Sequence, residues 1–159
     1  RGLIPLARSE SSSMPTCLFF AGGGVNSAPQ SFSSYVVARV ALMKATELLD
    51  AECEGIKFSI LGPGWVKTKI HEQTLGNPST PEAVVQETAR RYKEDDFVDM
   101  VDVIKAVKWI IDKPKDIVGG RNFSVQHDQF GALAFEAALQ QDPDLYKLRR
   151  FGNAESWTA

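Results

Sequence analysis

Two apolar runs separated by one long helical stretch constrain this chain more than any other feature. The first, Thr16–Ala21 (TCLFFA), has no polar alternation and reads as a strand buried on both faces, as in a parallel sheet. Gly22, Gly23 and Gly24 end it. Ser33 or Ser34 then offers a capping hydroxyl for a helix that runs to about Cys53 and stops near Gly55. Ile56–Leu61 (IKFSIL) is the next strand, closed by Gly62-Pro63-Gly64. Strand, long helix and strand make a crossover unit, which sets the two strands parallel.

The remainder follows the same grammar. Residues Trp65–Asn77 read as irregular, and Thr80-Pro81-Glu82 as a helix start, with a capping hydroxyl followed by proline at the first helical position. That helix, to about Lys93, is mostly polar and belongs on the surface. Asp96 is expected to cap another, with Phe97, Val101, Ile104, Lys108 and Ile111 along one side. Its further apolar residues, among them Met100, Val103 and Ile110, predict cover on more than one side. Pro114 ends it, Gly119-Gly120 turns, and Asn122–Gln126 is a third strand. Ala132–Gln140 reads as a helix, Leu145–Phe151 as another, and Arg1–Arg8 as the tail of a preceding one before a serine-rich connector. Opening as it does on what looks like the end of a helix, the chain reads either as a fragment or as a complete protein.

Composition excludes several classes. A net charge of −2, with basic residues scattered among acids, provides no electrostatic footprint for nucleic acid or an anionic membrane. No apolar run has the length of a bilayer span. Cys17 and Cys53 match no metal or redox spacing and read as small core residues, which suits a reducing cytoplasm. His71 and His127 lack a partner at metal-ligand spacing, so no metal site is expected.

The chemistry points to Tyr35 and Arg39. At about 100° per residue, a four-residue step returns to within roughly 40° of its starting direction, so phenol and guanidinium share a helix face. A fixed cation beside a phenol favours phenolate, which makes the pair a plausible proton donor and acceptor. The plainer reading leaves Tyr35 a partly buried core residue and Arg39 a solvated one.

Strand, small-residue loop, Tyr-x-x-x-basic on a long helix, then Gly-Ile ahead of a strand closed by Pro-Gly and a threonine: this order resembles the C-terminal half of the short-chain dehydrogenases/reductases. The resemblance covers most of residues 16 to 128 and ends in Val118-Gly119-Gly120-Arg121-Asn122-Phe123, which looks like that family's last strand. It implies an α/β fold, the C-terminal half of a Rossmann-like doubly wound parallel sheet, with about three strands and flanking helices. Residues 1–159 would be a single partial domain, with 129–159 as its tail. By the resemblance Tyr35 is the general acid/base and Arg39 stands where a lysine holds the nicotinamide ribose. Pro63, Gly64, Val66 and Thr68 would line NAD or NADP. Activity would be hydride transfer between that cofactor and a small-molecule carbonyl or alcohol. Trp65, beside the Pro-Gly segment, is a candidate pocket wall.

Two departures bear on the chemistry. Gly22 stands thirteen residues before Tyr35, where the family carries an orienting serine, and Arg39 replaces the lysine. Lys44 cannot substitute, because it points to about the opposite side of the helix. Arginine keeps the charge but does not readily release a proton, and its planar fork demands other geometry. A glycine triplet here resembles a subgroup in which the serine is habitually absent. The family's Gly-rich phosphate turn has no counterpart upstream, so the chain, if complete, lacks half of a nucleotide site. Gly22–Ser27 does follow a strand, but a phosphate loop needs a helix opening at once, and this one waits until about Ser33. A second expectation follows: a family-like chain that no longer catalyses and serves as a binding or assembly subunit. The 34–53 helix, apolar on two sides (Val36, Val40 and Leu48; Val37, Ala41 and Leu49), is expected to mediate homo-oligomerisation.

Overall fold

The computed structural model describes residues 14–23 and 25–150. The helix remnant expected at Arg1–Arg8, most of the serine connector, Gly24 and Phe151 lie outside them. The described chain is an α/β structure: β1 (Thr16–Phe20), α1 (Ser33–Glu52), β2 (Lys57–Gly62), α2 (Lys69–Gly76), α3 (Glu82–Glu94), α4 (Met100–Asp112), α5 (Lys115–Val118), β3 (Asn122–Ser124) and α6 (Leu133–Gln141). The strands form one parallel sheet in the order β1-β2-β3. Thr16 is opposite Lys57 and Ile60 opposite Asn122, so the first two strands lie side by side as the crossover pattern requires.

Alternation along β2 distributes the core. Leu61 joins Val103, Ala106 and Ile110 of α4, Phe123 of β3 and Leu139 of α6 in one buried cluster. Phe58 and Ile60 project to the opposite face, where α1 packs through Met43 and Thr46. Of the two apolar sides of α1 on which self-association is expected, Val37, Ala41 and Leu48 are exposed, whereas Val36, Val40 and Leu49 are half-buried.

Three buried or half-buried cations close three helix ends, a role that scattered basic residues do not advertise in sequence. The Lys57 ammonium, on β2, donates to the carbonyls of Ile111 (2.5 Å) and Lys113 (2.8 Å) at the end of α4. Lys115 donates to those of Asp50, Cys53 and Ile56 at the end of α1 (2.6, 2.8 and 2.7 Å). Arg121 donates to those of Leu139, Asp142 and Leu145 at the end of α6 (2.7, 3.2 and 2.8 Å). Terminal carbonyls have no partner within their own helix and carry the negative end of its dipole, so a cation satisfies both needs.

Several expected boundaries shift. The stretch expected to be irregular contains α2, a helix with no buried residue and so no periodic apolar stripe to reveal it. Phe32, not a serine, is the N-cap of α1, and it makes no side-chain cap bond. Pro81 stands at the N-cap of α3, one position earlier than expected. Asp99, not Asp96, caps α4 by accepting from the Val101 N–H at 2.8 Å. The Asp96 carboxylate is instead taken by Arg90 and Arg91 at 3.0 and 3.1 Å. The side of α4 carrying Val101, Ile104 and Ile111 is exposed, so α4 is covered on one side only. β3 stops at Ser124, where the Asp128 carboxylate accepts the Ser124 N–H. Residues 145–150 form turns and irregular chain where a helix was expected.

Candidate functional site

Tyr35 stands in the first turn of α1, 41% exposed, with Phe32 edge-on to its ring at 6.2 Å. The Arg39 guanidinium lies 5.1 Å from the ring centroid, within cation–π range. Arg39 Nη1 also donates to the Phe20 carbonyl at 3.4 Å, which ties the cation to the end of β1. Helical period alone brings these two side chains together.

Gly22 completes this cluster in a way its sequence does not suggest. A Cβ built on Gly22 would fall 1.9 Å from the Tyr35 hydroxyl oxygen and 2.7 Å from its Cζ. The phenol therefore fills the space that a side chain at position 22 would take. Gly22 follows Ala21, whose N–H donates to the Leu61 carbonyl at 2.8 Å, so the hydroxyl lies at the carboxyl edge of the paired strands.

The segment after β2 leaves from the same edge. Gly64 has φ +76°, and a Cβ there would lie 2.7 Å from Val98 Cγ2 and 2.8 Å from Gln126 Cδ. Only glycine meets both demands. Gly64→Ala is accordingly expected to lower the unfolding free energy by about 1–3 kcal/mol in a denaturant melt. Val66 pairs with Val98 in an isolated parallel bridge, and the Val98 N–H donates to the Trp65 carbonyl at 2.7 Å. Thr68 is exposed and extended at the entrance to α2, and its hydroxyl makes no capping bond. Tyr35, Arg39 and Gly22 thus form one group, and Pro63, Gly64, Val66 and Thr68 a second on the neighbouring loop. Among the described residues no hydrogen bond or ring contact joins the two.

An open cleft of about 400 Å³ lies between the entry to α1 (Ser31, Phe32) and the α2–α3 pair (Ile70, Thr74, Thr80, Val84). Phe32 belongs to both the cleft and the tyrosine cluster. No protein-family model, curated protein or solved structure matches this chain. The site is therefore read from its own geometry. The resemblance places a variable substrate-binding loop at His71–Lys93 and offers Ser31 as a substituting hydroxyl, and both contribute to this lining; Phe32 and the helix α2 itself were not visible in the pattern. Ser31 sits at φ +65°, a left-handed conformation that non-glycine residues adopt at some cost. Trp65 does not line this cleft: its ring stacks on His71 at 4.8 Å and under Arg91 at 4.6 Å.

Other reactive groups are accounted for structurally. Both cysteines are free, and burial pushes the Cys17 thiol up, away from nucleophilic thiolate. Among the described residues no group of three or more His, Cys, Asp and Glu could hold a metal ion, and no helix is long and apolar enough to cross a membrane.

Glu47 of α1 is an acid held by the C-terminal segment. Arg149, hydrogen-bonded to it at 2.7 Å, and then Lys44 at 2.8 Å hold its carboxyl down at about 2. A carboxyl depressed on folding contributes stability above its ordinary value of 4.5 and loses it as pH falls toward 2. Arg149→Ala should therefore cost about 1 kcal/mol at pH 7 and little at pH 2, which thermal melts across that range will register.

Proposed function

We propose that residues 16–128 form the catalytic and substrate-binding half of an NAD(P)-dependent oxidoreductase of the short-chain dehydrogenase/reductase type. On this reading the three strands are the C-terminal half of a Rossmann-like doubly wound sheet. One observation carries the proposal: the Tyr35 hydroxyl lies at the carboxyl edge of parallel strands with the Arg39 guanidinium one helical turn away. Ligands of open α/β sheets bind outside that edge.

The residues present suit the nicotinamide-ribose end of NAD or NADP. Arg39 offers a charged donor fork and Thr68 a hydroxyl without a capping partner. Bound there, the cofactor would supply or accept the hydride. Tyr35 would donate its proton to the substrate oxygen as a carbonyl is reduced, and take it back as an alcohol is oxidised. Arg39 would hold the ribose and favour the phenolate through its charge. Substrate would enter through the cleft whose wall, Phe32, touches Tyr35.

A second reading has its own support. With no side chain at Gly22 and the phenol filling that space, the hydroxyl that the resemblance places there to orient a substrate oxygen is absent. This favours a binding or assembly subunit that does not catalyse. Titration of the protein against NADH and NADPH, followed by cofactor fluorescence, separates the two. The expected result is a saturable change, weakened about tenfold in Arg39→Met through loss of the charged fork. Absence of any change with the whole protein overturns the oxidoreductase reading in favour of the second.

A further inference from the structure

We infer that the cleft beside Phe32 takes an uncharged, amphipathic carbonyl or alcohol, and discriminates against keto acids and phosphorylated substrates. The substrate role rests on the oxidoreductase reading, whereas the selectivity follows from the lining alone. Among the described residues, no side chain lining the cleft is ionisable. The lining mixes neutral hydrogen-bonding groups, among them Gln73, Asn77 and Thr80, with the apolar side chains of Phe32, Ile70 and Val84. A ligand with one carbonyl or hydroxyl and a hydrocarbon body matches both kinds of group, and about 400 Å³ lies within the usual range for a small-molecule site.

An anion would fare differently. Whatever hydration it sheds there would be replaced by hydrocarbon and neutral dipoles, with no cation among the described lining residues to compensate. The cations of the neighbouring segments, Arg39, Lys67 and Lys69, are not among the lining residues.

The test uses two probes that share a ring and a ketone and differ by one charge: cyclohexanone and 4-oxocyclohexanecarboxylate. Each is titrated into the protein while the backbone amide resonances of Gln73, Asn77 and Thr80 are followed by heteronuclear NMR. Cyclohexanone is expected to shift them saturably, and the carboxylate to bind at least ~10-fold more weakly. Equal or tighter binding of the carboxylate overturns the inference, as does the absence of any response to cyclohexanone. Gln73→Lys, a change at an exposed position, places an ammonium in the lining and is expected to improve carboxylate binding about tenfold. An unchanged order in that variant also counts against the inference. NADH titration reports separately. Cyclohexanone binding without nicotinamide binding overturns the oxidoreductase reading and leaves the selectivity standing, whereas nicotinamide binding with a preference for the carboxylate overturns the selectivity alone.

Discussion

Tyr35→Phe is expected, on the proposed oxidoreductase reading, to lower kcat with NAD(P) and a carbonyl substrate by ~10²–10⁴-fold, the range usual for a positioned general acid/base. The phenylalanine keeps the ring, its edge contact with Phe32 and its place beneath the Arg39 guanidinium. It removes only the oxygen that lies over Gly22. Tyr35 is 41% exposed and makes no hydrogen bond within the described residues, so the variant should melt with the parent protein. A group that acts only in the transition state lowers kcat and kcat/KM together, and that is the expected signature. Turnover unchanged in Tyr35→Phe would remove this residue from the mechanism and leave the helix face a packing feature.

The second large effect is on stability. Arg121 is 1% exposed, and its guanidinium supplies three hydrogen bonds to the carbonyls of Leu139, Asp142 and Leu145. Burial pushes its pKa down, yet arginine stays charged at any ordinary pH, so the bonds remain charge-assisted. Arg121→Met keeps much of the volume and leaves those carbonyls without their donor. The expected loss is about 3–5 kcal/mol, as for removal of one partner from a buried charged network. For a chain of this size that corresponds to a fall in Tm of roughly 10 °C. The arginine is not perfectly satisfied, since its Nε–H finds no partner, so the lower end of the range is favoured. Lys105→Met is the control. It breaks an exposed i,i+3 pair with Asp102 and should change stability by less than about 0.5 kcal/mol. A loss under about 1 kcal/mol in Arg121→Met would show that α6 is held by its apolar contacts and not by this cation.

Much of the fold was legible in the chain because it rests on local pattern. TCLFFA and IKFSIL announce paired strands through uninterrupted apolar character, and the stretch between them is long enough for one covering helix. Tyr35 and Arg39 share a face because helix geometry repeats nearly every four residues, whatever surrounds it. What stayed hidden depends on partners distant in sequence. α2 has no buried face, so no periodicity marks it. Asp96 and Asp99 are equivalent as capping residues, and the choice fell to Asp99 because the arginines of α3 hold Asp96 while the backbone of Val98 pairs with the loop after β2.

By itself, then, the sequence determined the strands, the long helix between the first two, and the pairing of phenol with guanidinium. Tertiary structure alone decided that Gly22 lies beneath the phenol, that Lys57, Lys115 and Arg121 close helix ends, and that a neutral cleft opens beside Phe32. The physical reason is range. Apolar period and helical pitch act over a few residues, whereas a buried carbonyl takes its donor, and a ring its resting place, from whatever packing brings within about 3 Å.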